Sequence, residues 1–161
     1  MFFLIGYMGS GKSTIAKELS TALNMEYIEM DETIEKDQQM SITEIFERYG
    51  EEYFRELETN LLKSFQGKKV ISTGGGVILS RENQATLKNG TVIFLDASFD
   101  TIDDRLSNDS TRPLWTGNRE GNRQRFNKRR PVYHGLADHI INVDKKDTDT
   151  IVAEIIHSLK S

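Results

Sequence analysis

The run Gly6-Tyr-Met-Gly-Ser-Gly-Lys12-Ser13 matches G-x-x-x-x-G-K-[ST] at every fixed position. That spacing serves a triphosphate. Gly9 and Gly11 admit backbone torsions that a side chain would forbid, so successive N–H groups can turn inward as an anion nest. A helix beginning near Lys12 adds its positive end to the nest. Lys12 is suited to bridge β- and γ-phosphates, and the Ser13 hydroxyl to ligate Mg²⁺. Thr14 offers a hydroxyl near the α-phosphate, so Gly9, Ser10, Gly11, Lys12, Ser13 and Thr14 form the expected nucleotide-binding segment. The competing reading is a glycine-rich turn with a surface lysine. It is disfavoured by context, because an apolar run precedes the motif and a helical pattern follows it. The motif names a phosphate donor and leaves the acceptor open.

Other residues could choose that acceptor. Asp31 follows a second strand-like run; a carboxylate there can accept hydrogen bonds from neutral hydroxyls and take a proton from an attacking one. It could equally cap a helix. Arg55 presents a planar fork that matches a carboxylate, with an ion pair to Glu51, Glu52 or Glu58 as the plain alternative. Gly74, Gly75 and Gly76 end a third strand, where ligands of open parallel sheets gather and where glycine permits close backbone approach. Arg112 precedes Pro113, which restricts it to extended torsions. His134, His139 and His157 have no metal-ligand spacing and read as structural. Trp115 reads either as a reporter of loop closure or as a loop anchor.

The elements that must position these residues alternate along the chain. Phe2–Ile5, Met25–Met30, Val70–Thr73, Thr91–Leu95 and His139–Val143 are strand-like. Helical spacing runs over Ser13–Leu23, Glu32–Phe65 with a break at Gly50, Arg81–Lys88, Ser98–Leu106, Arg123–Arg130 and Thr148–Leu159. Pro131 is expected to bend or end the Arg123–Arg130 stretch. Asn108–Asn122 has no clean period and reads as a loop, the place for a lid. Apolar strands separated by helices indicate an α/β domain, a five-stranded parallel sheet sandwiched by helices.

Composition narrows the class. A chain of 161 residues makes one domain, 1–161, and can bury about 70% of the surface it exposes when unfolded. The absence of cysteine excludes a disulfide framework, a cysteine nucleophile and a thiolate zinc site. The opening residues carry no basic region and only a short apolar run, so no signal peptide is expected, and no apolar run is long enough to span a membrane as a helix. A cytoplasmic protein without a membrane partner is expected. Net charge is −4, but Asp109–Arg130 holds seven basic residues against two acidic ones. A local basic concentration on an acidic chain suits a small anion. It lacks the interleaved aromatics of a nucleic-acid surface, so no nucleic-acid partner is expected.

With these residues in view, the chain resembles the shikimate kinases, small P-loop phosphotransferases of the nucleoside-monophosphate-kinase type. The resemblance rests on Gly6–Thr14, Glu29-Met-Asp31 with Ile34-Glu35, Phe54-Arg55-Glu56-Leu57-Glu58, Thr73-Gly74-Gly75-Gly76, Arg112-Pro113-Leu114 and Lys128-Arg129-Arg130-Pro131-Val132-Tyr133. It implies strand order 2-3-1-4-5, a substrate-binding region at about 31–62 and a lid at about 108–122. It implies transfer of phosphate from ATP to the 3-hydroxyl of shikimate, with Mg²⁺, in aromatic amino-acid biosynthesis. A monomer binding ATP and shikimate is expected.

By resemblance, Asp31 orients the substrate hydroxyl and is the candidate base. Arg55 and Arg129 take the shikimate carboxylate, and Gly74–Gly76 lie against the ring. Arg112 reaches the ATP phosphates. Arg105 and the loop Asp144–Thr148 face adenine. Glu29 departs from the family's usual Asp-x-Asp; it reads as a carboxylate approaching Mg²⁺ through water or as a solvated strand-end group. Ser72 reads as a further group near the metal. The rivals are a gluconate or nucleotide kinase and a catalytically silent nucleotide-binding module. Intact Lys12, Ser13, Asp31 and Arg112 speak against silence.

Overall fold

The computed structural model describes residues 1–108, 115 and 117–160. In chain order the elements are β1 (Phe2–Ile5), α1 (Lys12–Leu23), β2 (Glu26–Glu29), α2 (Met30–Gln38), α3 (Ile42–Tyr49) and α4 (Glu51–Ser64). There follow β3 (Lys69–Ser72), a 3₁₀ turn (Val77–Leu79), α5 (Arg81–Leu87), β4 (Thr91–Asp96) and α6 (Phe99–Ser107). The chain closes with α7 (Arg119–Leu136), β5 (His139–Asn142) and α8 (Thr148–Leu159).

The strands form one parallel sheet in the order β2-β3-β1-β4-β5. Consecutive residues Phe3, Leu4 and Ile5, and Val92 to Leu95, are all buried, so both faces of the centre of the sheet are covered. That is why the central strands read as continuous apolar runs rather than as alternating ones. Helices α1 and α8 pack side by side, α1 also against β3 and α8 against β5, while α7 meets β4. The chain leaves β1 toward β3 and β2 on one side and later returns to β4 and β5 on the other. The carboxyl end of β1 is therefore the switch point, where a parallel sheet opens a crevice.

Two elements differ from the sequence reading. The helical stretch after Glu32 is broken twice, not once. Gly50 breaks it with φ 87°, as expected, but Gln39 also turns left-handed at φ 55°. Ser41 then starts α3 afresh, its hydroxyl accepting from the Glu44 N–H at 3.1 Å. These short helices close a small second core of Ile34, Ile45 and Phe54, separate from the main one.

The other difference is α7, which begins at Arg119 inside the expected loop and runs through Pro131 to Leu136. Proline removes one N–H and crowds the carbonyl of Asn127. Asn127 and Pro131 are both exposed, so water can serve the freed carbonyl. Phe126 and Tyr133 are buried on either side of the proline, and that tertiary anchoring holds the helix together. Among the described residues, no helix is long and apolar enough to cross a membrane.

Candidate active site

The loop after β1 builds the cradle. Gly9 and Gly11 have φ of 83° and 93°, and Gly11 is the N-cap of α1. Both therefore adopt the left-handed torsions that the motif reserves for glycine. Lys12 is tucked inside the loop, its Nζ donating to the carbonyls of Gly6 at 2.7 Å and Tyr7 at 3.3 Å. A cleft of about 240 Å³ opens beside it, lined by Gly11, Lys12, Ser13, Thr14, Glu29, Asp31, Ser72 and Gly75 among others. On the other side of the loop lies a second cavity of about 320 Å³, lined by Gly9, Ser10, Gly11, Thr14, Arg105, Lys146 and Thr148. The Arg105 Nη1 donates to Gly9 O at 2.9 Å. Arg105, Lys146 and Thr148 thus flank the same recess.

Glu29 joins the cradle to β2. It is buried, accepts from the Ser13 hydroxyl at 2.5 Å and accepts from the Asp31 N–H at 3.3 Å. It is not a solvated strand-end group. Glu29 is also the N-cap of α2, so the Asp31 carboxylate is not used as the cap. Ser72 lines the same cleft, and its Oγ is buried without a hydrogen-bond partner among the described residues. Tyr27 is a neighbour that sequence reading did not single out. Burial first, then the charges of Glu29 and Glu32, push its phenol up to about 12.

At the end of β3 the glycines face side chains from α2 and α4. A Cβ on Gly74 would meet Glu58 Oε2 at 2.6 Å and Asp31 Oδ1 at 3.0 Å. A Cβ on Gly76 would collide with the Arg55 guanidinium, and one on Gly75 would sit 3.9 Å from Arg129 Nη1. None of these glycines has a left-handed φ. At Gly74 and Gly76 the lack of a side chain makes room for the charged groups themselves, a reason additional to close substrate approach, whereas a Cβ on Gly75 would meet Arg129 only at ordinary contact distance.

Arg55 makes the ion pairs that helical spacing offers, to Glu51 at 3.3 Å and to Glu58 at 2.9 Å, and still reaches Gly76. Glu58 is the residue that sequence reading undervalued. It is 1% exposed, and burial raises its carboxyl pKa against the opposing pull of Arg55. Its i,i+3 spacing from Arg55 was the available signal, but spacing does not tell a buried partner from a surface one.

Arg129 comes from α7. Its Cζ lies 5.8 Å from the Tyr7 ring centroid, so it reaches back over the phosphate loop. Asp31, Arg55, Glu58, Gly74–Gly76 and Arg129 therefore converge beside Lys12. The next residue, Arg130, pairs instead with Asp96 through both carboxylate oxygens, at 3.0 and 2.7 Å. Trp115 is an anchor: it is buried, its Nε1 donates to Asp103 at 2.9 Å, and Asn122 donates to its carbonyl. His134 lies 3.5 Å from Asp96, and His139 bonds Ser158, consistent with structural roles. Arg112 and Pro113 lie outside the described residues, as do 109–111, 114 and 116 of the expected lid.

The similarity to known proteins is extensive. The family model described as shikimate kinase matches residues 8–160. The shikimate kinase of Sulfurihydrogenibium sp. (strain YO3AOP1) is 44% identical over 161 residues, covering 98% of this chain and 96% of that protein. The crystal structure of shikimate kinase from Aquifex aeolicus superposes with a TM-score of 0.89 at 37% identity, covering 99% of this chain and 95% of that one. Shikimate kinase from Acinetobacter baumannii, solved in complex with shikimate, gives 0.91 at 30% identity, covering 99% and 92%. Agreement of sequence and fold over nearly the whole length establishes that this chain belongs to the shikimate kinase family.

Proposed function

We propose that this protein transfers the γ-phosphoryl group of ATP to the 3-hydroxyl of shikimate, giving shikimate 3-phosphate and ADP in aromatic amino-acid biosynthesis. The observation that carries this is the convergence of Arg55, Arg129 and Asp31 on the glycine-lined end of β3, beside Lys12 of the phosphate loop. Two guanidinium forks suit one carboxylate, and a carboxylate facing them suits a ring hydroxyl.

The inward N–H groups of Gly9–Thr14 and the N-terminus of α1 bind the phosphates. Lys12 turns from the loop carbonyls to the β- and γ-phosphates. Arg105, with Lys146 and Thr148, borders the recess that would take the nucleoside. Arg55 and Arg129 hold the shikimate carboxylate, so the 3-hydroxyl points toward the γ-phosphate. Asp31 accepts the hydroxyl hydrogen bond and takes the proton as the new P–O bond forms. Arg112, assigned from sequence alone, supplies charge to the transferred group, and closure of 108–122 excludes water. Positioning and charge stabilisation do most of the catalysis, since phosphoryl transfer asks little covalent chemistry of the protein.

The donor set fits Mg²⁺. Ser13 Oγ, the Glu29 carboxylate and the unpartnered buried Ser72 Oγ border the cleft as oxygen ligands, either directly or through water. When bound there, Mg²⁺ would offset phosphate charge. Ser13 would hold it, with Ser72 and Glu29 engaging its waters.

A coupled ADP-release assay over shikimate, gluconate and nucleoside monophosphates tests the reading. Turnover with shikimate is expected. Turnover confined to gluconate or to a nucleotide rejects it.

A further inference from the structure

Tyr133 belongs to the motif Lys128–Tyr133, and the roles above do not use it. Yet its phenol reaches the site. The ring is 2% exposed, and the hydroxyl donates to the Gly75 carbonyl at 2.8 Å. The ring stacks on Phe94, with centroids 5.2 Å apart and planes 20° from parallel. Burial raises its pKa, so the hydroxyl stays a donor across the working range. The Arg129 charge acts on the same oxygen.

Phe126, Arg129, Arg130 and Tyr133 share one face of α7, at helical spacings of three, four and seven. Phe126 packs edge-on against Tyr7, Arg129 lies over that ring, Arg130 grips Asp96, and Tyr133 grips Gly75. Pro131 sits inside this stretch and removes one rung of the helix. Side-chain anchors on either side must then set the rotation of α7 about its axis. A small rotation would carry Arg129 away from Gly75.

We infer that Tyr133 is a positioning residue for the acceptor. Its hydroxyl ties α7 to the Gly75 peptide, so that Arg129 and the glycine-lined wall are presented to the acceptor as one preformed unit. This rests on the reading that shikimate lies against Gly75 and Arg129.

Tyr133→Phe removes the hydroxyl and keeps the stacked ring. KM for shikimate is expected to rise about three- to tenfold, the effect of one lost buried hydrogen bond, with KM for ATP unchanged. In the protein without ligands, the Gly75 ¹³C′ resonance is expected to move upfield as its carbonyl loses a donor. Ile155→Val, a buried change on α8 at a position that lines neither cavity, serves as the stability control. It should lower Tm and leave both KM values alone. An unchanged shikimate KM in Tyr133→Phe, or equal rises for shikimate and ATP, overturns the proposal. Should the unmodified protein not turn over shikimate, the functional reading falls, and the carbonyl resonance decides Tyr133 by itself. An unmoved resonance then overturns the tie.

Discussion

The Arg55 guanidinium occupies the space that a side chain on Gly76 would need. A Cβ built there would lie 2.7 Å from Arg55 Cζ. A free arginine end would simply swing away, but this one is held by Glu58 at 2.9 Å and Glu51 at 3.3 Å. Gly76→Ala is therefore expected to break those bonds or to redirect the fork. KM for shikimate should rise about tenfold, the scale of a lost charge-assisted hydrogen bond, with KM for ATP moving less than about twofold. Steady-state kinetics with each substrate varied in turn checks this. Equal changes in both would separate Arg55 from the acceptor.

Arg55→Ala should weaken shikimate far more than ATP. It should also strip Glu58, 1% exposed, of its ion-pair partner. A buried carboxylate without its cation costs about 1–3 kcal/mol, so urea unfolding should show a loss on that scale. Adding Glu58→Gln to Arg55→Ala should recover part of the stability and none of the acceptor affinity. Recovery of the affinity as well would mean that Arg55 acts only through Glu58.

Burial raises the Glu58 pKa above its ordinary 4.5. As pH rises from there, the unfolded chain gives up this proton before the folded chain does. The stability that the group contributes is thus complete below that pH and declines as pH rises through the folded value. Glu58→Gln cannot titrate. The stability of the unmodified protein relative to Glu58→Gln should accordingly fall between mildly acidic pH and neutrality. Denaturant midpoints measured in parallel across that window test it, and a flat difference would contradict the raised pKa.

Chelation of divalent cations should abolish turnover, and excess Mg²⁺ should restore it. Glu29 bonds Ser13 at 2.5 Å and also caps α2, so it links the metal position to the substrate-binding helices. Glu29→Ala is expected to raise the half-saturating Mg²⁺ concentration by about ten- to a hundredfold. Adding Ser13→Ala should cost less than the product of the single effects, because the two residues act as one unit. Magnesium titrations of the two single variants and the double variant supply the comparison.

Local chemistry determined a good deal of this protein before any folding is considered. The phosphate loop was legible because its glycines, lysine and serine act within a few residues of one another, and chain stiffness alone brings them together. The central strands were legible because burial on both faces demands continuous apolar runs. Gly50 was legible because it must take a left-handed torsion. Gln39 was not, since a polar residue gives no warning of that torsion.

Tertiary structure decided the rest. It carried α7 through Pro131 by burying Phe126 and Tyr133 on either side of it. It turned Glu58 from one carboxylate among several on an acidic helix into the buried partner of Arg55. It also brought Asp31, Arg55, Gly75 and Arg129, nearly a hundred residues apart at the extremes, to one crevice. The physical reason is common to all three. Spacing along a chain sets which way a side chain can point, whereas burial and cross-element contact depend on the neighbours that the sheet order supplies.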